Sequence, residues 1–255
     1  FRYCIYLVIC LLFQISTIAQ STVSIIPKPV EVKFVPNKTV RIDSKTVLYY
    51  PVVFEQQAVY LKEEIKKQTG ISLQLKEFQD PWKKPAKGIL LQTEPVKLSR
   101  AEMYNLNIEV TKVLSRVVIK ANDVRGFINA FQTLLQLLPL TKKSSVTIPA
   151  VGITDYPQFS YRGMHLDVVR HIFPVEYIKK YIDYLTFHKF NTFHWHLADD
   201  QGWRFETTTY PELNSIGSWR DSTLIGHFKT VPAQYDGKRY GGYYTKAEIK
   251  EIVAY

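Results

Sequence analysis

A strand–helix–strand pattern between residues 163 and 198 constrains the fold of this 255-residue chain more than any other feature. The segments "GMHLDVVR" (163–170) and "FNTFHWHLA" (190–198) are short apolar runs typical of buried strands. The segment between them, "PVEYIKKYIDYLTFH", has helical spacing and begins with Pro174. Its apolar face carries Val175, Ile178, Ile182 and Leu185. Two strands joined by a crossover helix predict a βαβ unit, whose strands run parallel.

The part of the chain before this unit has a different pattern. Residues 21–153 mix strands and helices without regular alternation, which predicts an α+β domain built on an antiparallel sheet with helices. A helix is expected over 54–70, with Val59, Tyr60 or Leu61, and Ile65 on its apolar face, and a second over 123–140, ended by Pro139. The strand candidates are residues 30–35, 39–50, 88–94, 106–111 and 116–122, the last two joined as a hairpin.

Residues 154–255 are expected to be the start of an α/β (β/α)8 TIM barrel. Such a barrel typically needs about 250 residues, and only about 100 follow the linker, so the barrel would be truncated and the natural gene product longer. Near the end of the chain, Thr245 and Glu248 form a capping-box pattern that predicts one more helix, with Ile249, Ile252 and Val253 as its apolar residues.

Residues 1–20 have the pattern of a secretory signal peptide. Arg2 precedes an apolar stretch, and Thr17-Ile18-Ala19 provides small residues for cleavage. The apolar stretch is too short to span a bilayer comfortably, so we expect an exported, periplasmic or extracellular protein of bacterial type with no membrane span. Both cysteines lie in this segment, so the mature chain would have no disulfide.

The formal charge of +10 comes from basic residues scattered along the whole chain. No run of five basic residues and no Arg-rich stripe with interleaved aromatics occurs, so we interpret these residues as solvated surface and expect no nucleic-acid partner.

Charged side chains follow both strands of the βαβ unit. Arg170 ends the first strand, and Asp199 and Asp200 end the second. Because functional residues in parallel α/β folds lie at the carboxyl ends of strands, Arg170 and Asp199 are candidate site residues. Arg170 can bind vicinal hydroxyls or a carboxylate, and Asp199 can orient a histidine or accept from sugar hydroxyls, with a purely structural ion pair as the alternative. Adjacent strand residues face opposite sides, so the two aspartates are not both acid and nucleophile. One is expected to face the site and the other to cap the turn.

The second strand also carries two histidines on one face. Thr192, His194 and His196 alternate with Phe193, Trp195 and Leu197, so His194 and His196 are candidates for zinc ligands in a metal-dependent hydrolase. The sequence identifies no third ligand nearby, and packed histidines near the barrel interior are favoured over a metal site. Alternation would also place Asp199 on the face opposite the histidines. The strand must therefore end before Asp199 if this carboxylate is to lie near His194 and His196.

Trp203 and Trp219 follow in a loop rich in Tyr, Trp and Gly. Exposed indoles commonly stack on sugar faces, and loop packing is the alternative for each. The loop has no glycine-rich phosphate cradle, which favours carbohydrate over phosphate as a ligand.

Residues 161–220 resemble the opening of the catalytic barrel of glycoside hydrolase family 20, the β-N-acetylhexosaminidases. The resemblance rests on Arg-Gly, Leu-Asp, Arg-His, Lys-Phe-Asn, His-Trp-His-Leu and Asp-Asp-Gln in that order. The preceding part is similar to the small N-terminal domain of that family.

The resemblance implies removal of terminal N-acetylhexosamine from β-glycosides, with a glycan or chitooligosaccharide as substrate and no cofactor. The reaction is retaining and substrate-assisted: the acetamido oxygen of the sugar attacks the anomeric carbon. In the family's pattern Arg170 binds sugar hydroxyls and Asp199 belongs to a polar network that supports the general acid; Trp203 and His171 are weaker candidates for the sugar pocket.

The acid itself is the glutamate of an Asp-Glu pair, and no Asp-Glu dipeptide occurs in this chain. We therefore expect the pair beyond Tyr255 and this chain alone to be inactive. A non-catalytic glycan-binding relative is the other alternative.

Overall fold

The computed structural model describes residues 23–78, 85–93 and 100–255. The chain divides into two compact units, the second of which begins at Pro157. The division falls three residues beyond the predicted boundary at residue 153. The predicted signal peptide, residues 1–20, lies outside the described residues.

The described part of the first unit contains seven strands and two α-helices. In chain order these are β1 (Glu31–Asp43), β2 (Val47–Tyr50), α1 (Glu55–Thr69), β3 (Gln74–Glu77), β4 (Lys87–Thr93), β5 (Tyr104–Val110), β6 (Ser115–Ala121), α2 (Val124–Leu137) and β7 (Ser145–Asp155). The strands form one sheet in the order β1-β7-β5-β6-β4-β2-β3.

This sheet is mixed, so the predicted antiparallel sheet is wrong for half of it. Strands β1, β7, β5 and β6 run antiparallel to their neighbours, whereas β6, β4, β2 and β3 pair in parallel. The physical reason is the connection between β2 and β3: helix α1 lies between them in the chain and works as a crossover, which parallel strands require.

The helices carry the core of this unit. All five apolar residues predicted for the second helix are buried: Phe127, Phe131, Leu134 and Leu135 in α2, and Leu138 directly after it. Helix α1 ends at Gly70, whose φ of 80° is the left-handed conformation common after a helix. Its buried face contains Ala58, Leu61 and Ile65; the prediction for Val59 is wrong, because that side chain is 43% exposed.

The second unit begins with the predicted βαβ unit, which is confirmed. Strand β8 (Gly163–Asp167) pairs in parallel with β9 (Thr192–His196), and α3 (Val175–Phe187) connects them. One face of this pair packs against α3 and the last helix, α5 (Lys246–Ala254). The buried residues of this core are Val168, Val175, Ile178, Tyr244 and Ile252.

The remainder of the second unit is a series of short elements. They are β10 (Ala198–Asp199), β11 (Gly202–Trp203), the one-turn helix α4 (Glu212–Ser215), β12 (Trp219–Arg220), β13 (Leu224–Ile225), β14 (Gln234–Tyr235) and β15 (Tyr240–Gly241). The capping box of Thr245 and Glu248 is present at the start of α5. Ile252 is buried there as predicted, but Val253 is 80% exposed.

Among the described residues, every helix is too short or too polar to cross a bilayer.

Candidate functional site

Three carboxylates surround Arg170 at the carboxyl ends of β8 and β9. Its Nη1 donates to Asp199 Oδ2 at 2.5 Å and to Asp167 Oδ2 at 3.2 Å, and its Nη2 lies 3.4 Å from Asp200 Oδ1. The guanidinium side chain is 39% exposed, and Asp200 is the most exposed of the three aspartates at 72%. The predicted meeting of Arg170 and Asp199 is therefore observed, with Asp167 as a partner that the sequence analysis did not identify.

Asp199 is placed by a tight hairpin. Strand β9 ends at His196, and the chain then forms the antiparallel pair β10–β11, in which Asp199 is opposite Gly202. Because the first strand ends before Asp199, the carboxylate turns back to the histidine face, and its Oδ2 lies 2.9 Å from His196 Nε2. Asp199 Oδ1 accepts the Asp200 backbone N–H at 2.7 Å. Asp199, rather than Asp200, therefore closes the turn and also faces the site.

Hydrogen bonds shift the pKa values of Asp199, Arg170 and Asp167 towards their charged forms. The Asp200 N–H, then His196 and Arg170, hold the pKa of the Asp199 carboxyl well below its usual range. The hydrogen bond to Asp199 raises the pKa of Arg170. Desolvation works against ionisation of Asp167, but the backbone N–H groups of Arg170 and Val169 outweigh it and lower the pKa of that carboxyl.

Asp167 also shapes the backbone that presents Arg170. Its Oδ1 accepts the N–H of Val169 at 2.8 Å and that of Arg170 at 3.1 Å. An aspartate that accepts from the residues two and three positions ahead forms a local turn. In the sequence, an aspartate at a strand end, three residues before an arginine, is the pattern from which this turn could have been predicted.

Arg204 is a buried cation next to the residues that precede Arg170. Its side chain is fully buried and donates to four backbone carbonyls, those of Val168, Val169, Ser218 and Gly242. Desolvation, and then the charge of Arg220, lower the pKa of Arg204. Because two of the four carbonyls belong to the residues directly before Arg170, Arg204 fixes the path of the chain that carries the exposed guanidinium.

A second arginine and a tyrosine support Arg170 from the other side. Arg220 Nη2 donates to the Arg170 carbonyl at 2.7 Å, and its guanidinium lies 4.7 Å from the centre of the Tyr240 ring. His171 contacts the same ring edge-on, with 5.6 Å between ring centres. The tyrosine hydroxyl also accepts the Ile172 N–H at 3.1 Å. His171 thus lies beside the arginine cluster and packs on Tyr240.

The two loop tryptophans occupy different settings. The indole N–H of Trp203 donates to the Phe205 carbonyl, so this side chain is engaged within its own loop. Trp219 is 40% exposed, and Arg239 lies over its ring at 4.7 Å.

The histidine face contains a third histidine that the sequence analysis missed. In the parallel register His165 on β8 is opposite His194, and Asp167 is opposite His196. His165, His194 and His196 each offer a ring nitrogen, and these atoms lie within 4.8 Å of one another. The statement that no third ligand lies near His194 and His196 is therefore wrong, because the third comes from the neighbouring strand.

Two family models match the chain. One described as "Glycosyl hydrolase family 20, domain 2" matches residues 22–156, and one described as "Glycosyl hydrolase family 20, catalytic domain" matches residues 159–255.

Characterised relatives and solved structures agree with these matches. The chain is 33% identical to a beta-hexosaminidase of Vibrio furnissii over 95% of this chain and 37% of that protein. It is also 33% identical to a beta-hexosaminidase of Porphyromonas gingivalis over 91% of this chain and 28% of that one.

The structure of a Vibrio harveyi exo-β-N-acetylglucosaminidase in complex with N-acetylglucosamine is similar with a TM-score of 0.72 and 32% identity, over 90% of this chain and 34% of that chain. A mutant Streptomyces plicatus beta-hexosaminidase in complex with its product has a TM-score of 0.71 and 30% identity, over 90% and 42% of the two chains. The chain thus spans about a third of the length of the two curated relatives.

Proposed function

Because the chain belongs to glycosyl hydrolase family 20, we propose that the protein containing it removes terminal non-reducing N-acetylhexosamine residues from β-glycosides. The observation that carries the proposal is the pairing of Arg170 with Asp199 at the adjacent ends of two parallel strands. A guanidinium has five N–H donors, which can bind neighbouring sugar hydroxyls as well as carboxylates. The Arg170 side chain is 39% exposed beside its carboxylate partners, so part of it is accessible to a sugar.

The βαβ unit is the first part of a (β/α)8 barrel in this proposal. Active sites of such barrels lie at the carboxyl ends of the strands, where Arg170 and Asp199 stand. Asp199 and His196 form a hydrogen-bonded pair there, which is a suitable element of the polar network proposed to support the general acid. His171 and Trp203 are proposed as minor parts of the pocket wall.

The proposed mechanism is retaining and substrate-assisted. The acetamido oxygen of the sugar attacks the anomeric carbon while a general acid protonates the leaving oxygen, and water then opens the cyclic intermediate. Arg170 would hold the sugar ring, and ionised Asp199 would orient its neighbours. The acid is proposed to come from an Asp-Glu pair elsewhere in the full-length protein, so we expect the 255 residues alone to be inactive.

The test is turnover by the full-length protein of a chromogenic N-acetyl-β-glucosaminide, compared with the matching β-glucoside. The second substrate has the same leaving group but no acetamido oxygen, so we expect hydrolysis of the first only. Equal turnover of both would contradict the substrate-assisted mechanism. Binding of N-acetylglucosamine without turnover would instead identify a non-catalytic glycan-binding relative. Activity that disappears on chelation and returns with metal would favour the metal-dependent hydrolase.

We also propose that the protein is exported to the periplasm or the medium, because residues 1–20 have a signal-peptide pattern. Fractionation of cells that express the full-length gene, with and without these residues, tests this. Cytosolic retention of the form that keeps them would contradict it.

A further inference from the structure

We propose that His165, His194 and His196 bind one divalent transition-metal ion of the Zn²⁺ or Cu²⁺ class. The three residues are called the histidine triad below. The proposed hydrolysis assigns no metal to these residues, and the inference does not depend on it.

The triad is built by the strand pairing. His165 and His194 are directly opposite in the parallel register of β8 and β9, and His196 follows two residues later on the same face. The ring centre of His165 lies 4.7 Å from that of His194 and 5.2 Å from that of His196, and the third pair of centres is 6.0 Å apart. Three imidazoles are therefore held side by side by the backbone of two adjacent strands.

The ring nitrogens need little movement to share one ion. They lie within 4.8 Å of one another. Tetrahedral zinc with Zn–N bonds of about 2.0–2.1 Å sets neighbouring ligand nitrogens roughly 3.3 Å apart. Each nitrogen must therefore move by roughly 1 Å to reach tetrahedral spacing, a distance within the range of side-chain rotation.

The hydrogen bonds around the triad also favour metal binding. His196 Nε2 lies 2.9 Å from Asp199 Oδ2, so the ring can donate to the carboxylate there and keep Nδ1 free for an ion. A metal-ligating histidine commonly donates its other ring N–H to a carboxylate in this way. Within the part of the chain that the structure describes, the ring nitrogens of His165 and His194 have no hydrogen-bond partner.

The local charge suits a cation. Asp167, Asp199 and Asp200 all contact Arg170, so three carboxylates and one guanidinium leave two net negative charges beside the triad. Imidazole nitrogen selects zinc, copper and nickel, whereas Mg²⁺ and Ca²⁺ prefer oxygen ligands.

The experiment is calorimetric titration of ZnCl₂ into the full-length protein after treatment with EDTA and desalting. We expect one Zn²⁺ per chain, and we expect MgCl₂ to give no binding. His165→Ala and His194→Ala should each weaken Zn²⁺ binding at least tenfold. A circular dichroism spectrum that matches that of the unmodified protein shows that each variant keeps its fold.

The matched control is His227→Ala, which removes an exposed histidine of the same unit that lies outside the triad. Its affinity for Zn²⁺ should equal that of the unmodified protein. In parallel, His165→Ala should hydrolyse the chromogenic N-acetyl-β-glucosaminide as the unmodified protein does, which separates this proposal from the proposed function. The absence of Zn²⁺ binding, or affinities unchanged by His165→Ala and His194→Ala, would overturn the proposal.

Discussion

Arg170 is the residue on which the candidate sugar site depends, because it is the cation at which the carboxylates of β8 and β10 meet. In the full-length protein we expect Arg170→Ala to reduce kcat/KM by roughly 100-fold, about 3 kcal/mol of transition-state stabilisation. Steady-state kinetics on the chromogenic substrate measures this.

Arg125→Ala is a matched control for that substitution. Arg125 in the first unit donates to Asp123 at 2.6 Å, so it is another exposed arginine with an aspartate partner. Its replacement should leave kcat/KM unchanged. Equal kinetics for Arg170→Ala and the unmodified protein would remove Arg170 from the sugar site.

Asp199 gives a prediction on pH. Its pKa in the folded protein is lowered by the Asp200 N–H, His196 and Arg170. An unfolded aspartate has a pKa of about 3.9. The ionised carboxylate therefore contributes its full stabilisation above that value, and the contribution is lost as the pH falls through the lower folded value.

We accordingly expect the Asp199 carboxyl to remain ionised at about pH 4. A ¹³C NMR titration of the side-chain carboxyls measures this, with Asp199→Asn used to assign the signal. A midpoint at or above the usual aspartate value would show that the hydrogen bonds to Asp199 do not persist in solution.

At the scale of elements, Arg204 joins segments that are distant in the chain. It holds the two residues after β8, the residue before β12 and the residue after β15 through their carbonyls. Arg204→Met keeps much of the side-chain volume but leaves these carbonyls without their donor. Because a buried unsatisfied polar group costs about 1–3 kcal/mol, we expect the free energy of unfolding to fall by more than about 3 kcal/mol.

Urea unfolding followed by tryptophan fluorescence measures this loss, since three of the four tryptophans lie in the second unit. Arg239→Met is the control, because Arg239 is exposed and lies over the ring of Trp219 without a hydrogen bond or ion pair among the described residues. Equal midpoints for the two variants would mean that Arg204 is not needed for the stability of this unit.

Helices and strands whose apolar residues recur at regular spacing could be predicted from the sequence. The way in which these elements pair and pack could be predicted only in part. The apolar face of α3 and the parallel pairing of β8 with β9 follow from spacing and from the crossover rule. The meeting of Arg170 with Asp199 follows from the same rule. The mixed sheet of the first unit did not follow, because alternation within a strand does not encode its direction.

His165 and Arg204 were missed for a related reason. His165 becomes a neighbour of His194 only through the register of two strands, which the sequence does not display. Arg204 can be buried because backbone carbonyls accept its hydrogen bonds. Every residue has such a carbonyl, so the sequence does not show which of them will surround an arginine. The role of a side chain could be predicted where it depended on its position along one strand. The role could not be predicted where it depended on which strands and loops pack together.

At the scale of the whole molecule, the two units differ in the size of their sheets. The first has a seven-stranded sheet with its own core, whereas the parallel sheet of the second has only β8 and β9. Two strands alone are marginally stable. We expect residues 23–156 alone to unfold cooperatively in urea, and residues 157–255 alone to bind the dye ANS.

Far-UV circular dichroism and ANS fluorescence of the two separate pieces measure this difference. A gradual, non-cooperative transition of residues 23–156 would contradict the autonomy of the first unit. Weak ANS fluorescence of residues 157–255 would contradict the exposure of apolar surface in the second.

The first and last strands of the first unit are neighbours in its sheet. Glu31 near the beginning of β1 is opposite Thr154 near the end of β7, so the chain enters and leaves the unit about 5 Å apart. A module with adjacent ends can be gained, lost or exchanged between genes without redirecting the chain on either side. The pairing of β1 with β7 therefore gives this unit the adjacent ends that domain insertion and exchange require.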